Sequence, residues 1–166
     1  MYGNLYLIVI YPLVYIFPAY AANGAPILFG GGRPLDLGKR FQKKRIFGNS
    51  KTTRGVIAGI IAGIIVGIVE SQFLPYLLYI SVALSLGAIF GDLLGSFMKR
   101  RAGMKPGTNV PLLDQYGFFV FALLFALPFG HMPALYGLLF LALLTGPLHL
   151  VANICANALR LKKVPW

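Results

Sequence analysis

Acidic side chains are scarce in this sequence, and their positions are therefore informative. Only 4 Asp and Glu residues stand against 15 Lys and Arg in a chain of 166 residues. Asp92 ends the long uncharged run of residues 71–91, and an acidic side chain at membrane depth is costly enough to indicate a functional site. On a continuous helix Asp92, Ser96 and Lys99 share one face, which suits a metal ion beside a phosphate-binding group. The alternative is that Asp92 pairs with Arg54 or Lys99 as a purely structural contact.

The turn at residues 48–54 has the composition of an anion-binding site. Its sequence, GNSKTTR, precedes an apolar run that predicts a helix. Ser or Thr can cap that helix, and its free N–H groups would then face an anion together with Lys51 and Arg54. The Walker A pattern G-x-x-x-x-G-K-S/T is absent, so this turn is not a P-loop.

The elements that must position these residues are membrane-spanning helices. The chain is 58% hydrophobic and 11% charged, against about 45–50% and about 25% in soluble domains. This composition excludes an ordinary cytosolic enzyme and a disordered tail. A spanning helix needs about 20 residues, and the uncharged runs predict five such helices, over residues 3–22, 52–69, 73–97, 116–131 and 134–159. We therefore predict an all-α integral membrane protein that forms a single membrane domain over residues 1–166.

The basic residues predict the orientation of these helices. They fall between the first and second helices, between the third and fourth, and after the fifth. In a five-helix chain these three segments share one face, and the positive-inside rule makes that face cytoplasmic. The N-terminus is then outside, the C-terminus is cytoplasmic, and loops 23–54 and 98–115 form the active-site face.

Two of the predicted helices carry regular stripes of residues. The second helix has glycines at a spacing of four, which favours close packing either within the chain or with a second copy: Gly55, Gly59, Gly63 and Gly67. The fifth helix has polar residues at the same spacing: Thr145, His149, Asn153 and Asn157. These polar groups either hydrogen-bond between helices or bind a headgroup, with His149 and Asn153 as the candidates for the second role.

A basic, wet face that opens onto lipid favours one class of chemistry. Phosphoryl or nucleotidyl transfer between a soluble nucleotide and a lipid phosphate needs positioning and charge neutralisation more than covalent catalysis. A small transporter or channel with a basic cytoplasmic vestibule is the alternative, but it predicts polar residues at mid-membrane, where these helices are almost purely apolar. The D-G-x-x-A-R motif of CDP-alcohol phosphotransferases is absent, and a membrane scaffold gives no account of Asp92 beside Ser96 and Lys99.

Several sequence blocks occur in a fixed order from about residue 20 to the C-terminus. They are N-x-x-P at residues 23–26, RPLDLGK at 33–39, RIFGNSKTTRG at 45–55, GDLLGSFMKRR at 91–101, PLLDQ at 111–115 and KVPW at 163–166. In these blocks the chain resembles the archaeal CDP-archaeol synthases, a branch of the CDP-diglyceride synthetase superfamily. Pro106 stands where the wider superfamily has Asp, so the number of metal ions stays open.

The resemblance implies a reaction and a set of site residues. CTP and 2,3-bis-O-(geranylgeranyl)-sn-glycerol 1-phosphate would give CDP-archaeol and pyrophosphate, with Mg²⁺ as cofactor. Asp92 and Asp114 would be metal ligands and, with Lys99, the catalytic residues. Nucleotide- or phosphate-binding roles are implied for a larger set: Asn23, Asp36, Lys39, Gly48, Asn49, Ser50, Lys51, Thr52, Arg54, Ser96, Arg100 and Lys105. The expected partners are CTP, the isoprenoid ether lipid phosphate and the bilayer, with no nucleic acid, in a monomer or homodimer.

Overall fold

Five helices make up most of the computed structural model, which describes residues 5–105, 107–162 and 164. They are α1 (Tyr11–Phe29), α2 (Thr53–Ser71), α3 (Leu77–Arg101), α4 (Pro111–Ala126) and α5 (Leu135–Ala158). A π-helical turn, Tyr6–Ile10, leads into α1, and a 3-10 turn, Leu127–Phe129, follows α4. Two short antiparallel strands, β1 (Arg40–Phe41) and β2 (Lys44–Arg45), form a hairpin between α1 and α2.

All five helices in the described part of the chain are long and apolar enough to cross a bilayer. α3 is the most deeply buried of them and packs against α1, α2 and α4. The core around it consists mainly of aliphatic and small residues, such as Ile16, Leu84 and Ala122. The prediction of five helices long and apolar enough to span a membrane is confirmed, whereas the short β-hairpin departs from the predicted all-α fold.

The glycine stripe of α2 packs within the chain. A Cβ added at Gly63 would lie 1.9 Å from Ser85 Oγ and 2.9 Å from the Pro18 carbonyl oxygen. A Cβ at Gly59 would lie 2.6 Å from the Ala22 carbonyl oxygen. The glycines therefore allow α2 to approach both α1 and α3. The sequence left open whether this stripe packs within the chain or against a second copy, and the structure shows that it packs within the chain.

The first helix is longer than predicted. α1 continues past residue 22 to Phe29, so Asn23 lies within the helix and not in a loop. Pro26 is inside this last part of the helix. Proline is tolerated within membrane helices because neighbouring groups satisfy the freed carbonyls.

The second connecting segment is shorter than the predicted loop 98–115. α3 extends to Arg101, where the basic residues of its last turn interact favourably with the helix dipole. α4 begins at Pro111, a favoured residue for the first helical position, and not at residue 116. Asp114 consequently lies in the first turn of α4.

Candidate functional site

Asp92 on α3 contacts Lys51, the residue that precedes the cap of α2. Lys51 Nζ lies 2.6 Å from both carboxylate oxygens of Asp92. The side chains remain 32% and 23% exposed, so the pair is open to a ligand. Asp92 is therefore in an ion pair, but its partner is Lys51 and not Arg54 or Lys99.

Asp114 forms a second ion pair one helix away. Lys99 Nζ donates to Asp114 Oδ1 at 2.5 Å and to the Thr108 carbonyl oxygen at 3.3 Å. The other carboxylate oxygen accepts the backbone N–H of Val110 at 2.9 Å. A carboxylate in the first turn of a helix is favoured by the helix dipole, so the start of α4 holds Asp114 in place.

The two ion pairs lie at the same end of the helix bundle. α3 and α4 are in close contact below them, because a Cβ at Gly91 would lie 2.4 Å from the Gly117 carbonyl oxygen. Asp92 and Lys99 are seven residues apart on α3, so the two pairs lie on one face of this helix. Two carboxylates and two ammonium groups are thus brought together.

The donor set of this site fits a magnesium ion that is shared with a substrate. Among the described residues, no three His, Cys, Asp or Glu side chains lie together as a metal-binding group. Mg²⁺ is usually held by one or two carboxylates together with substrate phosphates, not by a cage of protein ligands. Asp92 and Asp114 would supply the one or two carboxylates of a site that substrate phosphates complete.

The N-terminus of α2 lies beside Lys51 and has the predicted cap. Thr52 is the N-cap residue, and its hydroxyl accepts the N–H of Gly55 at 3.1 Å. The Lys51 carbonyl accepts the N–H of Leu35 at 2.7 Å, so the preceding loop pairs with this segment. The Thr53 N–H also donates to the Arg33 carbonyl oxygen at 3.2 Å, so the cap and the preceding loop occupy most N–H groups of the first turn.

Asp36 organises the loop between α1 and β2 from its interior. Its buried carboxylate accepts backbone N–H groups of Gly38, Phe47 and Gly48 at 3.0–3.1 Å and pairs with the Arg45 guanidinium. The Arg45 guanidinium and these N–H groups hold the pKa of Asp36 well below its usual range, although burial opposes them. These donors occupy both carboxylate oxygens of Asp36. We therefore interpret Asp36 as a residue that holds the loop in its conformation and does not contact the nucleotide directly.

Arg101 connects the hairpin to α3, a role that the sequence reasoning missed. Its guanidinium donates to the carbonyl oxygens of Phe41, Lys44 and Arg45. It also lies over the rings of Phe41 and Phe97, 5.4 Å and 5.2 Å from their centroids. The sequence signal for this role is the position of Arg101 on the helix. Lys99 shares a helix face with Asp92, whereas Arg101 lies on a different face and therefore has a different partner.

A basic cavity of about 380 Å³ lies between the hairpin and the end of α3. Its lining includes three predicted residues, Gly48, Asn49 and Arg100. The other lining residues are Arg40, Lys43, Lys44, Arg45, Gly103 and Met104. A volume of this size is within the range of small-molecule sites.

The remaining predicted residues are spread around the ion pairs and the cavity. Ser96 is buried on α3, and Asn23 is half-buried in α1. The others are exposed: Lys39, Ser50, Arg54 and Lys105. Their roles in binding stay predictions.

Lys162 of the C-terminal segment contacts α5, an interaction that sequence reasoning did not single out. Its Nζ donates to Asn153 Oδ1 at 2.9 Å, and Asn153 Nδ2 lies 3.0 Å from His149 Nδ1. The polar stripe of α5 was a signal for this part of the site, because it leads towards the basic residues that follow the helix.

Comparison with known proteins identifies the family. The family model described as "CarS-like: CDP-archaeol synthase" matches residues 5–166. The chain belongs to the CDP-archaeol synthase family. The resemblance drawn from the sequence blocks is thereby confirmed.

Several relatives carry the CDP-archaeol synthase name. The Methanopyrus kandleri protein is 46% identical over 158 residues, which cover 93% of this chain and 91% of that protein. The Pyrococcus furiosus protein is 43% identical over 160 residues, which cover 92% of this chain and 95% of that protein. This member of the CDP-archaeol synthase family thus matches its relatives over nearly their full length.

A solved structure has the same fold. It is described as "Structural insight into an intramembrane enzyme for archaeal membrane lipids biosynthesis" and is 36% identical to this chain, with a TM-score of 0.79. The match covers 86% of this chain and 92% of that one. A multi-pass membrane architecture for this CDP-archaeol synthase family member agrees with its five apolar helices.

Proposed function

We propose that this chain is the CTP-dependent cytidylyltransferase that converts 2,3-bis-O-(geranylgeranyl)-sn-glycerol 1-phosphate to CDP-archaeol. An oxygen of the lipid phosphate forms a bond to the α-phosphorus of CTP, the bond to the β-phosphate breaks, and pyrophosphate leaves. Membership of the family supports the reaction. The observation that carries the assignment of the site is the pair of Asp–Lys contacts, Asp92 with Lys51 and Asp114 with Lys99.

Lys51 and Lys99 bind the reacting phosphates in this proposal. Each ammonium group already contacts a carboxylate, and lysine binds phosphate as a compact point charge. Phosphoryl-transfer enzymes work mainly through positioning and neutralisation of charge. Both lysines are partly exposed, so a phosphate can reach them without unfolding of the loops.

Asp92 and Asp114 would hold Mg²⁺ jointly with the triphosphate. When bound, the ion neutralises phosphate charge and polarises the phosphorus that is attacked. The support for this assignment is the chemistry of the two carboxylates, which are hard oxygen ligands that Mg²⁺ prefers. Lys51 and Lys99 keep these carboxylates paired in the absence of other cations.

The nucleotide occupies the cavity between the hairpin and α3 in this proposal, and its reacting phosphate extends beyond the lining residues towards Lys51 and Lys99. Gly48, Asn49 and Arg100 line it, and the capped N-terminus of α2 lies close by in sequence. Gly48 has a φ of +90°, a conformation that glycine adopts without strain. The buried contacts of Asp36 hold Gly48 in position, so the loop is organised before the nucleotide binds.

This face of the molecule is cytoplasmic in our proposal, with the N-terminus outside. Two basic segments meet at one end of the bundle, since Lys51 pairs with Asp92 on α3 and Lys99 of α3 pairs with Asp114 on α4. A concentration of Lys and Arg at one end supports a cytoplasmic location under the positive-inside rule. CTP is then available on the side where the site opens.

The proposed reaction is tested with the purified protein in detergent. We expect pyrophosphate release from CTP when the lipid phosphate and Mg²⁺ are both present. The matched control replaces the lipid phosphate with the same lipid carrying a free hydroxyl, and a second control removes divalent ions with a chelator. Absence of release under every divalent cation tested would overturn the proposal.

A further inference from the structure

His149 lies within the membrane-spanning part of α5, at a depth comparable to that of Asp92. It stands nine residues before the end of α5 at Ala158, and Asp92 stands nine residues before the end of α3 at Arg101. One spanning helix separates α3 from α5, so the two helices cross the membrane in the same direction. A rise of about 1.5 Å per residue places both side chains about 14 Å below the ends of their helices.

Phe118 of α4 connects His149 with the two carboxylates of the candidate site. The ring of His149 stacks beside that of Phe118, with 6.0 Å between the ring centroids and 26° between the planes. Phe118 is four residues after Asp114 and therefore lies one turn deeper on the same face of α4. A Cβ added at Gly91, the neighbour of Asp92, would lie 3.0 Å from the Cα of Phe118. His149 is thus next to the turn of α4 that packs beside Asp92.

The hydrogen bonds of Asn153 fix which nitrogen of His149 carries the proton. Lys162 Nζ donates to Asn153 Oδ1 at 2.9 Å, and an ammonium group only donates, so the amide oxygen faces the lysine. The amide nitrogen of Asn153 consequently faces His149 Nδ1, at 3.0 Å, and donates to it. A ring nitrogen that accepts carries no proton, so the proton of His149 is on Nε2. Asn153 is only 3% exposed, which holds this amide in one orientation.

The Nε2–H group of His149 has no hydrogen-bond partner within the described part of the chain, and it is not enclosed by the protein. Thr145, one turn deeper on the same stripe, is by contrast satisfied. It donates to the Leu141 carbonyl oxygen at 2.7 Å and lies 2.8 Å from the Tyr20 hydroxyl. An N–H group at membrane depth is costly without an acceptor, and hydrocarbon chains offer none. An oxygen atom of a bound lipid would supply that acceptor.

We propose that His149 donates a hydrogen bond from Nε2 to an oxygen of the lipid phosphate substrate, and that Asn153 is its positioning residue. The inference rests on the proposed function. With the reacting phosphate at Lys51 and Lys99, the glycerol part of the same lipid extends into the membrane, where His149 lies. The acceptor is an oxygen of the phosphate monoester or an ether oxygen of the glycerol. Both are hydrogen-bond acceptors attached to the same glycerol, and the test separates them.

Steady-state kinetics of two neutral amide variants test the proposal. In His149→Gln the amide nitrogen reaches as far as Nε2, whereas in His149→Asn it reaches only as far as Nδ1. We expect His149→Asn to raise the KM for the lipid phosphate by about two- to tenfold, the range for a lost hydrogen bond between neutral groups. The KM for CTP should not change, and His149→Gln should keep most of the affinity for the lipid.

The control variant is His131→Asn, which replaces the other of the two histidines. His131 stacks on Tyr76 in the turn between α4 and α5, at the opposite end of the bundle. Both KM values of this variant should equal those of the wild type. Unchanged KM for the lipid phosphate in His149→Asn would overturn the inference. An equal rise in His149→Asn and His149→Gln would overturn it too, because the loss would then follow from packing and not from the N–H donor.

A competitor without ether oxygens identifies the acceptor. Geranylgeranyl monophosphate carries a phosphate monoester on an isoprenoid chain and has no glycerol. If its inhibition constant rises in His149→Asn, the acceptor is a phosphate oxygen. If the constant is equal in the variant and the wild type, or if neither protein is inhibited, the acceptor is an ether oxygen.

Nitrogen NMR of the imidazole provides a second and independent test. In a ¹⁵N-histidine-labelled His131→Asn protein, the one remaining histidine is His149. We expect a protonated Nε2 and an unprotonated Nδ1, and a shift of the Nε2 signal when the lipid phosphate is added. Asn153→Leu should mix the two tautomers and raise the KM for the lipid phosphate. A proton on Nδ1 in the wild-type context would contradict the inference.

The outcomes separate this inference from the proposed function. A wild-type protein with no transferase activity would refute the proposed function itself. An active wild type with an unaffected His149→Asn variant would refute only the role of His149. A rise of both KM values together with a lower thermal unfolding temperature in detergent would show a structural role and contradict the inference.

Discussion

Asp92 has two functions at the residue scale, one in the free protein and one in the proposed reaction. In the free protein it accepts two short contacts from Lys51. In the proposed reaction its oxygens hold the metal ion while Lys51 binds phosphate. Both functions need the carboxylate charge, so an amide of the same shape cannot replace it.

We predict that Asp92→Asn lowers pyrophosphate release by orders of magnitude while the protein still folds. Metal-ion catalysis contributes several kcal/mol of transition-state stabilisation, and the pair with Lys51 is partly exposed, so its loss costs little stability. The matched control is Glu70→Gln, an equal change of charge at the far end of α2. The measurement is activity together with the thermal unfolding temperature in detergent. Near-normal activity of Asp92→Asn would remove this residue from the site.

At the scale of the elements, close packing of the helices holds the candidate site residues of α2 and α3 in position relative to one another. α2 carries Lys51 and Thr52 at its N-terminal end, and α3 carries Asp92 and Lys99. The glycines of α2 allow its backbone to approach α1 and α3 closely. The contact between Lys51 and Asp92 therefore depends on residues deep in the bundle.

We predict that Gly63→Ala destabilises the bundle and that Gly24→Ala does not. The new methyl group at residue 63 would meet Ser85 Oγ and the Pro18 carbonyl oxygen, whereas a Cβ at Gly24 has no heavy atom within 4 Å. Overpacking of a tight contact typically costs about 1–3 kcal/mol, while alanine is a better helix former than glycine. Thermal unfolding in detergent measures the difference. Equal unfolding temperatures for the two variants would contradict the packing role.

At the scale of the whole molecule, charge is segregated to one end of the bundle. The hairpin, the end of α3 and the C-terminal turn meet there, and Arg101 joins the first two. The opposite end carries the short turn between α2 and α3 and the residues around His131. This asymmetry predicts the orientation in the membrane.

We predict that a cysteine at position 43 reacts with a membrane-impermeant reagent only from the cytoplasmic side. Lys43 is exposed in the turn of the hairpin. A cysteine at position 72, in the turn between α2 and α3, should react only from outside. The background is Cys155→Ala, because the native thiol is exposed. Labelling of position 43 from outside would invert the proposed topology.

The sequence by itself determined the five helices of spanning length, a Ser or Thr cap before α2, the face shared by Asp92, Ser96 and Lys99, and the family. These features depend on local composition, on helical periodicity or on the order of short sequence blocks. Helix ends were less predictable, since Pro26 is inside a helix and Pro111 begins one.

Only the tertiary structure decided which charges meet. Lys51 pairs with a carboxylate 41 residues away, and Arg101 contacts carbonyl oxygens of the hairpin 56–60 residues away. Lys162 contacts Asn153 because the chain reverses at the end of α5. These contacts arise because helices distant in the chain pack side by side at the glycine stripe and at Gly91. Periodicity identifies the face of a helix on which a side chain lies, whereas its partner is set by the helices that pack against that face.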